Sequence, residues 1–453
     1  MDTQIQNISL KDKFLSLFLE DTGSKFINTI RLDAIHKFEE LGFPTLKHED
    51  WKYTSLAGLL KVDWQEYPEN DYSEIKPEDI QRFLVPGLCS DYLVFVNGKY
   101  VKHLSKVHEN THGVIIESFE EAQNLHQDII EKYFSKYAHY QNNAFVALNT
   151  ALASDGAFVY IPKGVQHTHT IQLVNITGYG QADSFSNTRN LVILEEGAKT
   201  EIVENNVSYH NSLSLGEGRG EVLSSFNTIV NELVVSKKAQ LNYYKSQSEN
   251  ELAYQVNFTQ IDQEKDSLCN TYTSCLGGKF LRNDLNFLLN DSHCESHMFG
   301  LYIGNKQQLI DNHTFVDHAN PDCFSNEFYK GIIAGQATAV FNGKIIVRPD
   351  AQKTNAYQSN KNILLSDEGR INTKPQLEIF ADDVKCSHGA TTGQLDDEAL
   401  FYLRSRGIGE EKARAMLTLA FAEDVLENIK QPEIKVWIEE QVEAKLKTIA
   451  GNG

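Results

Sequence analysis

The chain has 453 residues, 41% hydrophobic and 23% charged, as in a globular protein with a large core and two or three structural units. A net charge of -20 works against nucleic acid and anionic membrane as partners, since both demand a positive footprint. No apolar run reaches transmembrane length, and Met1-Asp2-Thr3-Gln4 lacks the layout of a signal peptide.

The first 60 or so residues read as helical. Leu10, Phe14, Leu15, Phe18 and Leu19 form one apolar stripe. Phe26, Ile27, Ile30, Ala34, Ile35, Phe38 and Leu41 form a second, closed by Gly42 and Pro44. In the polar segment Lys47–Thr54, Trp51 and Tyr53 are expected to pin this arm onto the main body. Leu93 to Val96, followed by Asn97-Gly98, predicts a strand and a hairpin turn. Residues 116–138 return to helical spacing.

From Phe145 the character changes. Pieces such as Leu191–Leu194, Thr228–Val230, Leu233–Val235, Phe287–Leu289 and Lys344–Val347 are short and β-branched, with polar breaks between them. In Glu195–Ile202 and Ser236–Leu241 a small residue follows the break and leads into a strand. The spacing is not constant, so a sandwich, a barrel and a β-solenoid all remain open. From Asp396 the chain is helical again. Residues 396–406 have an acidic first turn, a basic last turn and a glycine stop. Ala413, Leu417, Phe421, Val425 and Ile429 make an i+4 row, and Ile434, Trp437, Ile438, Val442, Leu446 and Ile449 another. Stripes this apolar must cover something, either the β body or a partner.

The six cysteines, at 89, 269, 275, 294, 323 and 386, include no CxxC pair and no compact framework. That suits reduced thiols in a cytoplasmic setting. The most informative segment is Asp382–Ala390, with Cys386 and His388 two apart after the alternating run Leu377–Phe380. If that strand continues, both side chains share a face about 7 Å apart, a reach suited to one metal or to neighbouring irons of a cluster. Two ligands cannot complete a tetrahedral site, so the rest must come from other segments or another subunit. Among the other histidines, His167 with His169 and His293 with His297 would each share a strand face. His313 and His318 would lie on opposite faces. These pairs support a rival reading, a stand-alone β-solenoid metalloenzyme using a histidine cluster.

There is no Walker loop, since Gly197-Ala198-Lys199-Thr200 lacks the upstream glycine, and no GxSxG elbow or HExxH helix. The helices 396–406 and 410–429 superficially suggest a DNA-binding pair. Glu410, Glu411, Glu423 and Asp424 argue instead for protein docking.

Cys386 to Gly393, continuing through Leu400 to Ile408, resembles the C-terminal segment of the SufB/SufD family of iron–sulfur cluster assembly proteins. Phe145–Ala151 with Asp155-Gly156, His318–Pro321 and Ser325–Gly331 also match. The DVKCSHGA form and the arm ending in HEDWKYT look like the SufD branch. The resemblance implies a mainly β fold: a right-handed parallel β-helix core at 141–395, a mostly helical region at 1–140, and a helical docking region at 396–453. It implies a non-catalytic scaffold subunit in a cytoplasmic complex with a SufB-type paralogue and SufC, an ABC ATPase that holds the ATPase activity. His388, with Cys386 beside it, would help hold iron or a transient iron–sulfur cluster shared with the SufB-type partner. The C-terminal helices would dock SufC, with Leu400, Phe401, Tyr402, Arg404, Arg406, Met416 and Phe421 as candidate contacts. Flavin is implied for the complex only, and no residue here assigns a site for it. A related solenoid end also makes a homodimer of the isolated chain plausible.

Overall fold

The structure, a computed structural model, describes residues 10–19, 24–66, 72–109, 112–153, 155–180, 182–209 and 223–450. Met1–Gln4, read above for a leader, lie outside them. Two ten-stranded sheets are laid down in alternation along the chain. Glu295–Gly304 joins one sheet, Leu309–His318 the other, Phe324–Ile333 the first again, and so on to Lys385–Gly393. Successive strands along the body of each sheet are parallel and aligned without stagger: Leu268 pairs with Glu295, Glu295 with Phe324, Phe324 with Asn355, and Asn355 with Lys385. This is a parallel β-solenoid, one of the three architectures that periodicity left open, with helices at both termini.

The polar breaks are its corners. Gly197 and Lys238 take left-handed backbone there, φ 70° and 59°, and the small residues that follow, Ala198 and Ala239, are wholly buried. Strand registers put Ser267, Cys294, Cys323 and Thr354 in the same column. Two of the scattered cysteines are thus corner packing residues, which fits their burial.

Helical regions cover the two sheets separately. On one side, Phe14, Phe38, Trp64 and Phe145 pack against Phe185, Phe226 and Tyr254. Trp51 stacks on Phe145 at 5.3 Å, with the Arg282 guanidinium over its ring at 4.5 Å. Trp51 therefore pins the arm as expected, whereas Tyr53 is exposed. On the other side, Ile434, Trp437, Ile438 and Val442 of the helix Pro432–Ala450 bury against Tyr244, Tyr272, Phe299 and Ile332. The apolar stripes of the last helices cover the β body.

The β structure starts before residue 141. Ser90–Val96 pairs with Thr170–Thr177, and Ile115–Ser118 runs antiparallel to Ala157–Tyr160. Helical spacing over 116–138 survives only in Phe119–Leu125 and Gln127–Tyr133. The expected hairpin forms, with Asn97 and Gly98 both at positive φ. No helix among the described residues is long and apolar enough to cross a membrane.

Candidate metal-ligand pair at the open end of the solenoid

The strand expected to run through the cysteine–histidine motif ends at Ile379, and a corner at 380–384 passes the chain to the opposite sheet. Cys386 and His388 sit in a new strand, Lys385–Gly393, so their shared face survives by a different route. Cys386 pairs with Ala356 and His388 with Gln358. Ala356 is fully buried and Gln358 is 3% exposed, so both point into the solenoid. Cys386 and His388 inherit that inward direction, but among the described residues no further turn covers them. His388 is exposed, while Cys386 is half-buried against the end of the interior apolar cluster.

Burial pushes the Cys386 thiol up, against a backbone hydrogen bond from Ala356. It is therefore a protonated thiol at neutral pH, and a metal must displace that proton to bind it. Behind His388 the inward column continues through Gln358 to Glu327, whose carboxylate accepts from the Gln358 amide at 2.8 Å. Periodicity could not reveal this column, because its members meet only through the stacking of successive turns.

The adjoining helix Asp397–Ser405 is capped by Asp396, which accepts from the Glu398 N–H at 2.9 Å, and stops at Gly407, φ 84°. Phe401, Tyr402, Arg404, Arg406 and Met416 are exposed, with the Arg406 guanidinium over the Tyr402 ring at 5.2 Å. Leu400 is buried, and Phe421 lies half-buried on the β body, its ring 4.1 Å from the buried Lys330 ammonium. Those two side chains contribute to the internal packing of the region.

The other histidines divide. His293 occupies a turn at φ 60°, while His297 lies in a strand beside Glu295, so an uninterrupted face for the pair does not exist. His313 contacts Asp311 and Arg282 on the outer face, and His318 is buried against Ser325, as the odd spacing requires. His167 and His169 precede their strand instead of lying in it, yet both reach one carboxylate, that of Asp91. Asp91 and His108 complete this group, and sequence reasoning missed both. They come from separate segments joined only by strand pairing, so no local spacing announces them.

Residues 176–421 match the family model "SUF system FeS cluster assembly, SufBD core domain", and residues 2–173 match "SufBD protein N-terminal region". An iron-sulfur cluster assembly SufBD family protein of Synechocystis sp. is 31% identical over 429 residues, 95% of this chain and 92% of the relative. The iron-sulfur cluster assembly protein SufD of Escherichia coli is 33% identical over 397 residues, 87% of each chain. A chloroplastic protein of Arabidopsis thaliana, ABCI7, is 33% identical over 299 residues, 64% of this chain and 60% of the relative. With both of its halves matched and relatives aligned along almost the whole length, the chain belongs to the SufBD family.

Proposed function

We propose that this chain is a scaffold subunit of a SufB–SufC–SufD type iron–sulfur cluster assembly complex. In this reading it donates His388, with Cys386 beside it, to iron or a nascent cluster held at the contact with a SufB-type paralogue. The cluster is cargo, bound and then released. One observation carries the reading: a soft and a borderline donor share the inward face of the last solenoid strand, which no further described turn covers, as an incomplete ligand set. Two donors leave a tetrahedral iron half-satisfied, so a second subunit has both ligands to supply and an edge to cover. His388 is the exposed member of the pair and Cys386 the half-buried one, so the imidazole is the more accessible donor. The exposed face of Phe401, Tyr402 and Met416 suits the docking of the ABC ATPase that supplies the complex with ATP hydrolysis.

The test is cluster reconstitution in the co-expressed complex. His388→Ala is expected to leave the complex assembled and to lower its iron and sulfide content at least severalfold. Unchanged content in an intact complex would remove His388 from the ligand set.

A further inference from the structure

Asp91 is the second residue of the strand Ser90–Val96, at the far end of its sheet from Cys386 and His388. Parallel pairing of Ser90 with Thr170 brings His167 and His169 alongside it. A single antiparallel bridge between Tyr92 and Lys106 delivers His108 from a third segment. The Asp91 side chain is 1% exposed, yet three imidazoles contact it: His108 Nδ1 at 2.7 Å from Oδ1, with His167 Nε2 at 3.0 Å and His169 Nδ1 at 3.3 Å from Oδ2. The His108 backbone N–H also donates to Oδ1, at 2.7 Å. Burial alone would raise this carboxyl, but the hydrogen bonds from His167 and His108 hold it well below the usual carboxylate range.

Three imidazole rings from two separate segments converge on this one carboxylate. The His108 and His169 rings are 4.7 Å apart, and their side chains are 34% and 32% exposed, so this side of the group is open to water. One donor atom each from Asp91, His108 and His169 lie within 4.8 Å of one another. We propose that Asp91, His108 and His169 form a binding site for a single divalent first-row transition ion, Fe2+ or Zn2+ in type. Two imidazoles and one carboxylate with open positions are the donor set such ions take. The absence of a thiolate disfavours a cluster or Cu(I), and the two nitrogens disfavour Mg2+ and Ca2+. His167, only 10% exposed, is a positioning residue: it holds the second carboxylate oxygen and so orients Asp91. This site is independent of the pair at the other end of the solenoid and does not rest on the function proposed for that pair.

The probe is Zn2+ titrated into the metal-stripped full-length chain, with Co2+ as a spectroscopic substitute. Wild type is expected to hold one Zn2+ per chain through gel filtration and to melt at a higher temperature with the ion than without it. His108→Gln with His169→Gln replaces two partly exposed side chains, so folding should persist while stoichiometric Zn2+ and the thermal shift are both lost. His167→Gln should weaken binding about 10- to 100-fold. Cys386→Ser with His388→Ala should keep the ion, and Co2+ should show ligand-field bands without thiolate charge transfer. The site is overturned if wild type retains no Zn2+, or if the double glutamine variant binds as tightly as wild type. A Co2+ spectrum that shows a thiolate band in wild type and is lost entirely, ligand-field bands included, in Cys386→Ser would equally overturn it, by putting the only ion at the other end.

Discussion

Glu327 stands one turn behind Gln358 and two behind His388 in the inward column. Burial pushes its carboxyl up to about 7, against hydrogen bonds from Thr314 and Gln358. An acid raised in this way holds its proton more tightly folded than unfolded. Its contribution to stability is therefore complete below the ordinary glutamate value of 4.5 and is lost as pH rises through about 7. Glu249, raised to about 8 by burial and then by the charge of Glu204, acts in the same direction. Asp311 runs the other way: despite its burial, Arg282 and His313 hold it at about 2, so its contribution is lost only in strong acid. Glu327→Gln keeps the shape and removes the titration. Between pH 4.5 and 7 the wild type should lose stability relative to the variant by up to about 1.4 kcal/mol per pH unit. Urea unfolding of both proteins at pH 5, 6, 7 and 8 measures this, and parallel curves would mean that Glu327 does not titrate there. At this scale the sequence disclosed Cys386 and His388 because they are neighbours in the chain. It hid Gln358, Glu327, Asp91 and His108, whose roles exist only where distant turns stack.

The terminal helices were legible as elements, since the row Ala413, Leu417, Phe421, Val425 and Ile429 has helical spacing. The covered face was not legible, because a buried stripe looks the same whether it meets its own β body or another protein. The structure turns that row inward and leaves Phe401, Tyr402 and Met416 at 73%, 57% and 43% exposure. This changes how ATPase docking has to be tested. Cutting the chain after Gln394 would also strip Trp437, Ile438 and Val442 from the sheet, and each large apolar side chain uncovered costs about 1.5–3 kcal/mol. Loss of binding by such a truncation would not separate docking from folding. Phe401→Ala touches no internal contact of that kind. If this ring anchors the ATPase, its loss costs about 2 kcal/mol or more, which is at least a tenfold weaker complex. Calorimetric titration with the ATPase, beside a thermal melt that should stay unchanged, checks it. Unchanged affinity would move the docking surface elsewhere.

For the molecule as a whole, periodicity could not choose a solenoid because the pairing that defines it joins each strand to one a full turn away. Corner lengths vary while registers stay aligned, so the repeat is strict in space and irregular in sequence. The family resemblance supplied what the spacing could not. A solenoid built this way has an end problem. At its start the edges are closed by antiparallel strands, Lys99–Tyr100 on one sheet and Ile115–Ser118 on the other. At its finish Lys385–Gly393 has one neighbour only among the described residues. The Lys385 N–H is directed at the Thr354 carbonyl, and strand alternation then turns the backbone groups of Cys386, His388, Ala390 and Thr392 to the open edge. Unpaired edges of this kind recruit other strands unless something blocks them. Ala390→Pro removes one outward N–H without deleting an internal ladder bond, in a position where proline is tolerated. The variant should fold and melt nearly as wild type does. If the proposed SufB-type partner pairs along this edge, its association should weaken at least about tenfold, the combined effect of a lost hydrogen bond and a ring at the seam. Light scattering and titration calorimetry of the mixed subunits decide it. If the proline variant pairs as tightly as wild type, the subunits do not meet along this edge, and a cluster ligand on His388 would have to be completed from within the chain.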